Sequence, residues 1–207
     1  TETAGDLNLD QVISTGAGVT LNGPARIRDA DQGAGFDVIG TYAVLTSGTG
    51  VGESTHALAT QVHNLEGQGG TGGIWLTNSG ALTVGSITTL EGLAATGPII
   101  VTATSPLTIL ENVISSGAIV LTAGELPAPG DDLTVASGVL ISGNSVTLNA
   151  GDNVLIGSFA TIQAVAAILI QGDDITLEDS VTVSGGNWNV AANNFYTGGQ
   201  KQATALG

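Results

Sequence analysis

The chain has 207 residues, of which 42% are apolar, 10% are charged and 32 are glycine, and its formal net charge is −15. Its 18 acidic residues outnumber 3 basic ones, which excludes binding to nucleic acid phosphates or to anionic lipid, because both need clustered Lys and Arg. The absence of cysteine excludes disulfides, thiol catalysis and cysteine-ligated zinc. The longest apolar run, residues 164–170, is too short for a bilayer, so we expect no membrane insertion.

A repeated segment runs through most of the chain, and in its later copies the period is 21 residues. Its copies lie at residues 7–16, 82–92, 107–117, 133–143, 154–164 and 175–185. A second short apolar unit follows at residues 19–21, 99–101, 119–121, 146–148, 167–169 and 188–190. The units alternate with period two, are rich in Val, Ile, Leu and Thr, and are separated by Gly, Ser, Asn and Asp, which indicates short strands and turns.

Three short strands per period cannot bury a face alone, but stacked coils bury a continuous core, so the repeat predicts an all-β parallel solenoid of about 21 residues per coil. The predicted inward columns are Leu107/Leu133/Val154/Ile175, Ile109/Val135/Ile156/Leu177, Val139/Ala160/Val181 and Val101/Leu121/Leu148/Leu169/Val190. The intervening Thr108, Thr134 and Thr176 should face water. A β-sandwich is the structural rival, but it gives no reason for the constant offset.

Residues 33–80 interrupt the repeat. Leu58, Val62 and Leu65 fall at i, i+4 and i+7, which predicts one short helix near residues 54–66, inside an insertion at 46–73. We therefore expect a single solenoid domain over residues 1–193, followed by a polar C-terminal tail at 194–207.

Five acidic residues recur in the turn before the first strand of each repeat: Asp131, Asp132, Asp152, Asp173 and Asp174. In a solenoid they stack at one corner, and too few basic residues exist to neutralise them. Ca²⁺ accepts carboxylate, amide and carbonyl oxygens, so a calcium ladder is one interpretation. The other is that these side chains hydrogen-bond to the backbone of their own turns.

The outward positions of the third strand are apolar, and they predict an assembly stripe of Ile100, Val120 and Ile168, with Ile170 beside it. Such a stripe is either covered by another part of the chain or packs against another chain. Neither end of the repeat looks capped, so we expect copies of the chain to associate head to tail.

Two histidines, His56 and His63, share one face of the predicted helix, but no third metal ligand or H-E-x-x-H motif accompanies them. Arg26 and Arg28 are far in sequence from the repeated aspartates, so a groove combining acids, a basic residue and aromatics is not indicated.

The segments at residues 105–124 and 130–135 resemble repeats of the filamentous-haemagglutinin-like, β-strand-repeat adhesins of bacteria, and the stretch at 48–85 is similar to a spacer found among such repeats. This resemblance implies a right-handed parallel β-helix, export, and a fibrous or adhesive role at a surface. The Asn-Pro-Asn motifs of the family's secretion domain are absent, so the resemblance is to the shaft.

Together these features predict a non-enzymatic structural or adhesive β-helical segment of an exported bacterial surface or extracellular-matrix protein. The expected partners are copies of itself and host or matrix glycans. The main alternative is a β-helical enzyme that binds or cleaves polysaccharide. A solenoid that binds ice or another surface is a third hypothesis. The shortness of its flat threonine columns, at Thr108, Thr134 and Thr176, counts against it.

Overall fold

A computed structural model describes residues 4–33, 35–198 and 202–205, the last of these as backbone only. The described residues form 25 β-strands and no helix, and every strand pairing between them is parallel. The strands stack as a β-solenoid of about 9 coils, which confirms the predicted fold class.

Each coil contributes three strand segments. The first three coils contain β1 (Leu7–Leu9), β2 (Val12–Ile13), β3 (Val19–Gly23), β4 (Arg26–Asp29), β5 (Val38–Ile39), β6 (Tyr42–Ser47), β7 (Gly50–Val51), β8 (Leu58–Gln61) and β9 (Asn64–Gly69). The next three contain β10 (Gly73–Asn78), β11 (Leu82–Val84), β12 (Leu93–Ala95), β13 (Ile99–Ala103), β14 (Leu107–Ile109), β15 (Val113–Ser115), β16 (Ala118–Ala123), β17 (Leu133–Val135) and the start of β18 (Leu140–Asn149). The last three contain the rest of β18, β19 (Asn153–Ile156), β20 (Thr161–Gln171), β21 (Asp174–Leu177), β22 (Thr182–Gly185), β23 (Asn187–Ala191), β24 (Asn194–Thr197) and β25 (Gln202–Ala205).

The fourth to ninth coils have three sides. The first side consists of β10, β13, β16, residues 145–149 of β18, residues 167–171 of β20, and β23. The second side consists of β11, β14, β17, β19, β21 and β24. The third side consists of β12, β15, residues 140–143 of β18, residues 161–164 of β20, β22 and β25.

One column of apolar side chains runs through all of the coils. It consists of Leu7, Ile27, Val51, Ile74, Ile99, Ile119, Val146, Ile168 and Trp188, each paired in register with the next. The seven members from Ile27 to Ile168 are at most 1% exposed. A buried aliphatic side chain of this size stabilises the fold by about 2 kcal/mol, so this column alone is a large part of the driving force for stacking.

The position of one corner changes between the third and fourth coils. In the third coil, residues 52–57 separate β7 from β8, but both strands pair with the single strand β10 of the fourth coil. Conversely, the single strand β9 pairs with both β11 and β12, which residues 85–92 separate. The irregular stretch of the sequence is therefore a change of cross-section within one continuous stack.

The predicted helix near residues 54–66 is wrong. Leu58, Val62 and Leu65 are buried, as a helical stripe would be, but they belong to β8, to the turn after it and to β9. The helical spacing arises because two strands meet at a corner between these residues, and the strands pair with neighbouring coils.

The region expected to be a polar tail contains strands where the structure describes it. β24 pairs with β21, and β25 pairs with β22, so the solenoid continues past residue 193. Residues 199–201 and 206–207 of that predicted tail lie outside the described residues.

Candidate functional site

The corner between the first and second sides, which we call the aspartate corner, stacks the repeated acidic turns as the sequence predicts. Asp132, Asn153, Asp174 and Asn194 follow one another in consecutive coils. Asn153 Nδ2 donates to Asp132 Oδ1 over 2.9 Å, and Asn194 Nδ2 donates to Asp174 Oδ1 over 2.7 Å. Amides thus alternate with carboxylates in this column, and the amide of Asn153 lies between the carboxylates of Asp132 and Asp174.

The remaining carboxylates of the aspartate corner also accept hydrogen bonds from the protein. Asp152 Oδ2 accepts from the backbone N–H groups of Gly130, at 2.6 Å, and Asp131, at 3.1 Å. Asp131 is buried and accepts from the N–H of Leu126, while Asp173 Oδ1 accepts from Asn193 Nδ2 over 3.1 Å. Among these bonds, only that of Asp131 with Leu126 lies within its own turn, and the others join consecutive coils. Asn193 and Asn194 escaped the sequence analysis because they follow their partners by 20 residues rather than 21.

A different acidic group comes together at the N-terminal end. Among the described residues, the carboxylates that approach closely enough to share a metal ion are those of Asp29, Asp31 and Asp37, with oxygens within 4.8 Å of one another. Asp37 is 3% exposed and its Oδ2 accepts from the N–H of Ala59 over 2.7 Å. Burial raises the pKa of Asp37 to about 6, and the charges of Asp29 and Asp31 act in the same direction. The N–H of Gly33, donating over 2.8 Å, lowers the pKa of Asp31.

Both arginines of the chain lie on β4, which ends at Asp29 of this acidic group. Arg28 donates to Glu53 through Nε at 2.6 Å and through Nη2, and its Nη1 lies 3.2 Å from Asp6 Oδ2. The hydrogen bond that Arg28 donates to Glu53 raises the pKa of Arg28. Arg26 Nη1 donates to the carbonyl of Gly52 over 2.8 Å, and its Nε lies 3.6 Å from Glu53. These contacts tie the first three coils together and neutralise both guanidinium groups.

The two histidines do not share a face. His56 lines a polar pocket of about 230 Å³ together with Asn8, Arg28, Asp29, Gln32 and Glu53. His63 lies in a separate groove of about 500 Å³, formed by stacked turns that include Ile13, Ile39 and Val62. The sequence does not predict the cluster around the polar pocket, because Asp6, Arg28 and Glu53 lie in three different coils, outside the clear repeat.

A fully buried carboxylate anchors the loop at residues 85–92. Glu66 has no exposed surface, and its Oε1 accepts from the N–H groups of Ile87 and Thr88 at 2.7 and 2.9 Å. From the following coil, Glu111 accepts from the N–H groups of Ser86, at 2.9 Å, and Gly92, at 2.8 Å. The loop is therefore held from both sides, and these carboxylates have a structural role.

The predicted assembly stripe is half correct in its positions. Ile100 and Val120 are half-buried on the outer surface of the first side, but Ile168 and Ile170 are 1% and 0% exposed in the core. The cause is a register shift in which Asn144 of β18 lies opposite both Val165 and Ala166 of β20. Because side chains alternate along a strand, this extra residue reverses the side chains in the rest of β20 relative to a constant 21-residue offset. Leu169 takes the outward position instead.

Apolar side chains also line the C-terminal end of the stack. Trp188, Val190, Ala192 and Phe195 line an open cavity of about 350 Å³ with Asn189. At the opposite end, Leu7 and Leu21 of the first coil are half-buried and pack on the second coil. Within the described residues, each of these end strands pairs on one of its two edges.

The fold and these sites define the class of the molecule, which is an acidic, cysteine-free parallel β-solenoid. No protein family model, curated protein or solved structure matches the chain. No helix among the described residues has the length and hydropathy needed to cross a bilayer.

Proposed function

We propose that the chain is a non-enzymatic structural segment of an exported bacterial surface or extracellular-matrix protein, and that it associates head to tail into filaments. The observation that carries this proposal is the parallel stack, whose first and last coils present complementary edges. The last coil offers the backbone groups and apolar side chains that each coil inside the stack offers to its successor.

Association of this kind does not close on itself. The strands run in one direction around every coil, so the last coil of one copy fits against the first coil of another and leaves a new free end. A contact between two different surfaces that does not return to its starting point builds an open filament. Unpaired strand edges promote such addition because every added strand gains a ladder of backbone hydrogen bonds.

The apolar ends add a hydrophobic contribution. The cavity around Trp188, Val190 and Phe195 would be closed by the Leu7 and Leu21 end of a second copy, which removes apolar surface from water. Adhesion to host or matrix glycans is a further part of this proposal, which the fold neither requires nor opposes.

The test uses two variants that each block one end. Val190→Glu places a charge at the C-terminal end, and Leu21→Glu places one at the N-terminal end. We expect the wild-type chain to grow with concentration in analytical ultracentrifugation, and each variant alone to stay monomeric. An equimolar mixture of the two should form head-to-tail dimers that cannot be extended at either end, because each variant retains one functional end.

Thr108→Glu is the matched control, since this half-buried residue adds the same charge on the outer surface of the second side, in the fifth of the nine coils. Circular dichroism confirms that all variants fold. A wild-type chain that stays monomeric at millimolar concentration contradicts head-to-tail association.

One observation favours the alternative of a polysaccharide-cleaving or polysaccharide-binding protein. The polar pocket combines a carboxylate, an arginine and a histidine, which are Glu53, Arg28 and His56. Its lining includes no aromatic side chain, and Arg28 is already paired with Glu53 and Asp6. Release of reducing ends from a panel of neutral and acidic polysaccharides by the wild type, and its loss in Glu53→Gln, would favour this alternative.

A further inference from the structure

The charged residues of the fourth to ninth coils are confined to one part of the cross-section. All ten carboxylates that the sequence holds between residues 79 and 198 lie in the aspartate corner or in the corner between the second and third sides. They are Glu91, Glu111, Glu125, Asp131, Asp132, Asp152, Asp173, Asp174, Glu178 and Asp179.

The opposite part of these coils has no charge at all. We call it the uncharged side; it comprises the third side, the first side and the corner between them, at residues 93–104, 113–124, 139–150, 160–172 and 181–192. In a chain with a net charge of −15, a surface of this extent without a single carboxylate is a marked segregation.

One outward column of the uncharged side is largely apolar, and a column of Thr, Asn and Gln lies beside it, two residues further along the strands. Trp75, Ile100, Val120, Thr147 and Leu169 form one column on the first side, one residue from each of five consecutive coils. Beyond this column, Ile114 is 44% exposed on the third side and Val165 is 76% exposed at the corner between the two sides.

This charge distribution selects a second copy as the occupant. In a two-fold contact the same surface of both copies meets. Two strongly acidic surfaces repel each other in such a contact, whereas two uncharged surfaces do not. With the two-fold axis along the solenoid, the aspartate corner of one copy lies opposite the uncharged corner of the other. Strands of about 17 Å and sheets packed about 10 Å apart then separate the two aspartate corners by roughly 20 Å, beyond the Debye length of about 8 Å.

The area of the first side sets the strength of the contact. Six strands at about 4.8 Å spacing and about 17 Å length give roughly 480 Å², whereas a stable interface needs about 800 Å² from each partner. One copy therefore offers too little surface, and two copies joined end to end offer enough.

We infer that the uncharged side is a lateral interface between copies of this chain, in which the first side of one solenoid packs against the first side of another. The inference rests on the proposed head-to-tail association, because only stacked copies supply enough area. Lateral pairing then begins once short filaments exist, and the filaments are two solenoids wide.

The absence of cysteine provides a clean test. Val120 and Thr147 lie near the middle of the first side, close to the expected two-fold axis, so Thr147→Cys should form an intermolecular disulfide under mild oxidation. Thr134→Cys is the matched control, because Thr134 lies at a half-buried outward position on the second side, between the two acidic corners. We expect cross-linked dimers from Thr147→Cys in at least about tenfold excess over Thr134→Cys.

A charge variant separates the two kinds of association. Val120→Asp should give filaments one solenoid wide in negative-stain images, whereas Thr134→Asp should leave the width at two. Wild-type filaments that are already one solenoid wide overturn the lateral interface and leave head-to-tail association intact. Equal cross-linking of both cysteine variants overturns it as well. Lateral dimers that persist in Val190→Glu contradict the dependence of lateral pairing on stacking.

Discussion

The side-chain amide of Asn153 donates to the carboxylate of Asp132 over 2.9 Å and joins two consecutive coils of the aspartate corner. Stacked carboxylates repel one another, and a calcium ladder is one way to neutralise them. In the structure, the asparagines supply the donors that such a stack needs. The corner therefore holds its shape with the protein's own groups.

Replacing Asn153 by aspartate should destabilise the aspartate corner. Asn153→Asp removes a donor and places a third carboxylate between Asp132 and Asp174, so we expect a loss of stability of about 1–2 kcal/mol, measured by urea denaturation. Asn153→Ala, the control, removes the donor alone and should cost less. Millimolar Ca²⁺ should restore part of the stability of Asn153→Asp; equal denaturation with calcium and with chelator would show that the corner does not bind the ion.

The buried carboxyl of Asp37 should make stability depend on pH. Its pKa is raised to about 6, so the folded state holds the proton more tightly than the unfolded chain does. The contribution of Asp37 is therefore most favourable below about pH 4 and is lost as the pH rises to about 6.

Asp37→Asn should stabilise the protein at pH 7, by on the order of 3 kcal/mol, and by little at pH 4. An asparagine can still accept from Ala59 and can donate to Asp29. Asp10→Asn, at an exposed site, should have no comparable effect. Thermal melting of both variants against the wild type from pH 4 to 7 gives the comparison, and a constant difference across that range would contradict the prediction.

The register shift between β18 and β20 makes a prediction about adjacent residues. Ile170→Asp should unfold the last coils, because an unpaired charge in the core costs several kcal/mol. Leu169→Asp should be tolerated, because this side chain faces outward. Thermal melting followed by circular dichroism compares the stabilities of the two variants. A lower stability of Leu169→Asp would contradict the register shift and favour a constant 21-residue offset.

The loop at residues 85–92 should depend on Glu66. Glu66→Leu leaves the N–H groups of Ile87 and Thr88 without their acceptor, so hydrogen exchange at these two amides should accelerate and stability should fall by about 2–4 kcal/mol. Glu91→Gln, at an exposed position of the same loop, should leave both unchanged. Unaltered exchange in Glu66→Leu would mean that Glu111 alone holds the loop.

The sequence predicts the solenoid well wherever the period is constant. The columns from Leu133 to Ile175 and from Val135 to Leu177 are in the expected register, because 21-residue offsets and alternation of side chains coincide there. The column of Leu148 fails at its next member, since a single extra residue at a corner leaves no mark in the composition and reverses the side chains in the rest of β20.

The candidate sites were less accessible to sequence reasoning. The offsets between paired residues range from 18 residues, for Leu58 and Leu76, to 28, for Val113 and Ile141. Coils of unequal length bring Asp6, Arg28 and Glu53 together, so their spacing in the sequence does not predict that they are in contact. The buried Glu66 looks like any other acidic residue until the loop that it holds is in place.

The stacking of coils also fixes how the molecule would respond to a pulling force along its axis. Each coil adds only about 4.8 Å to the length of the stack, yet its 20 to 27 residues can extend to roughly 70–90 Å once released. Tension along the axis acts on the hydrogen bonds between an end coil and its neighbour, so the coils detach from the ends one at a time. A filament of this protein would therefore lengthen many-fold before it breaks, and refolding of the end coils would shorten it again when the load falls.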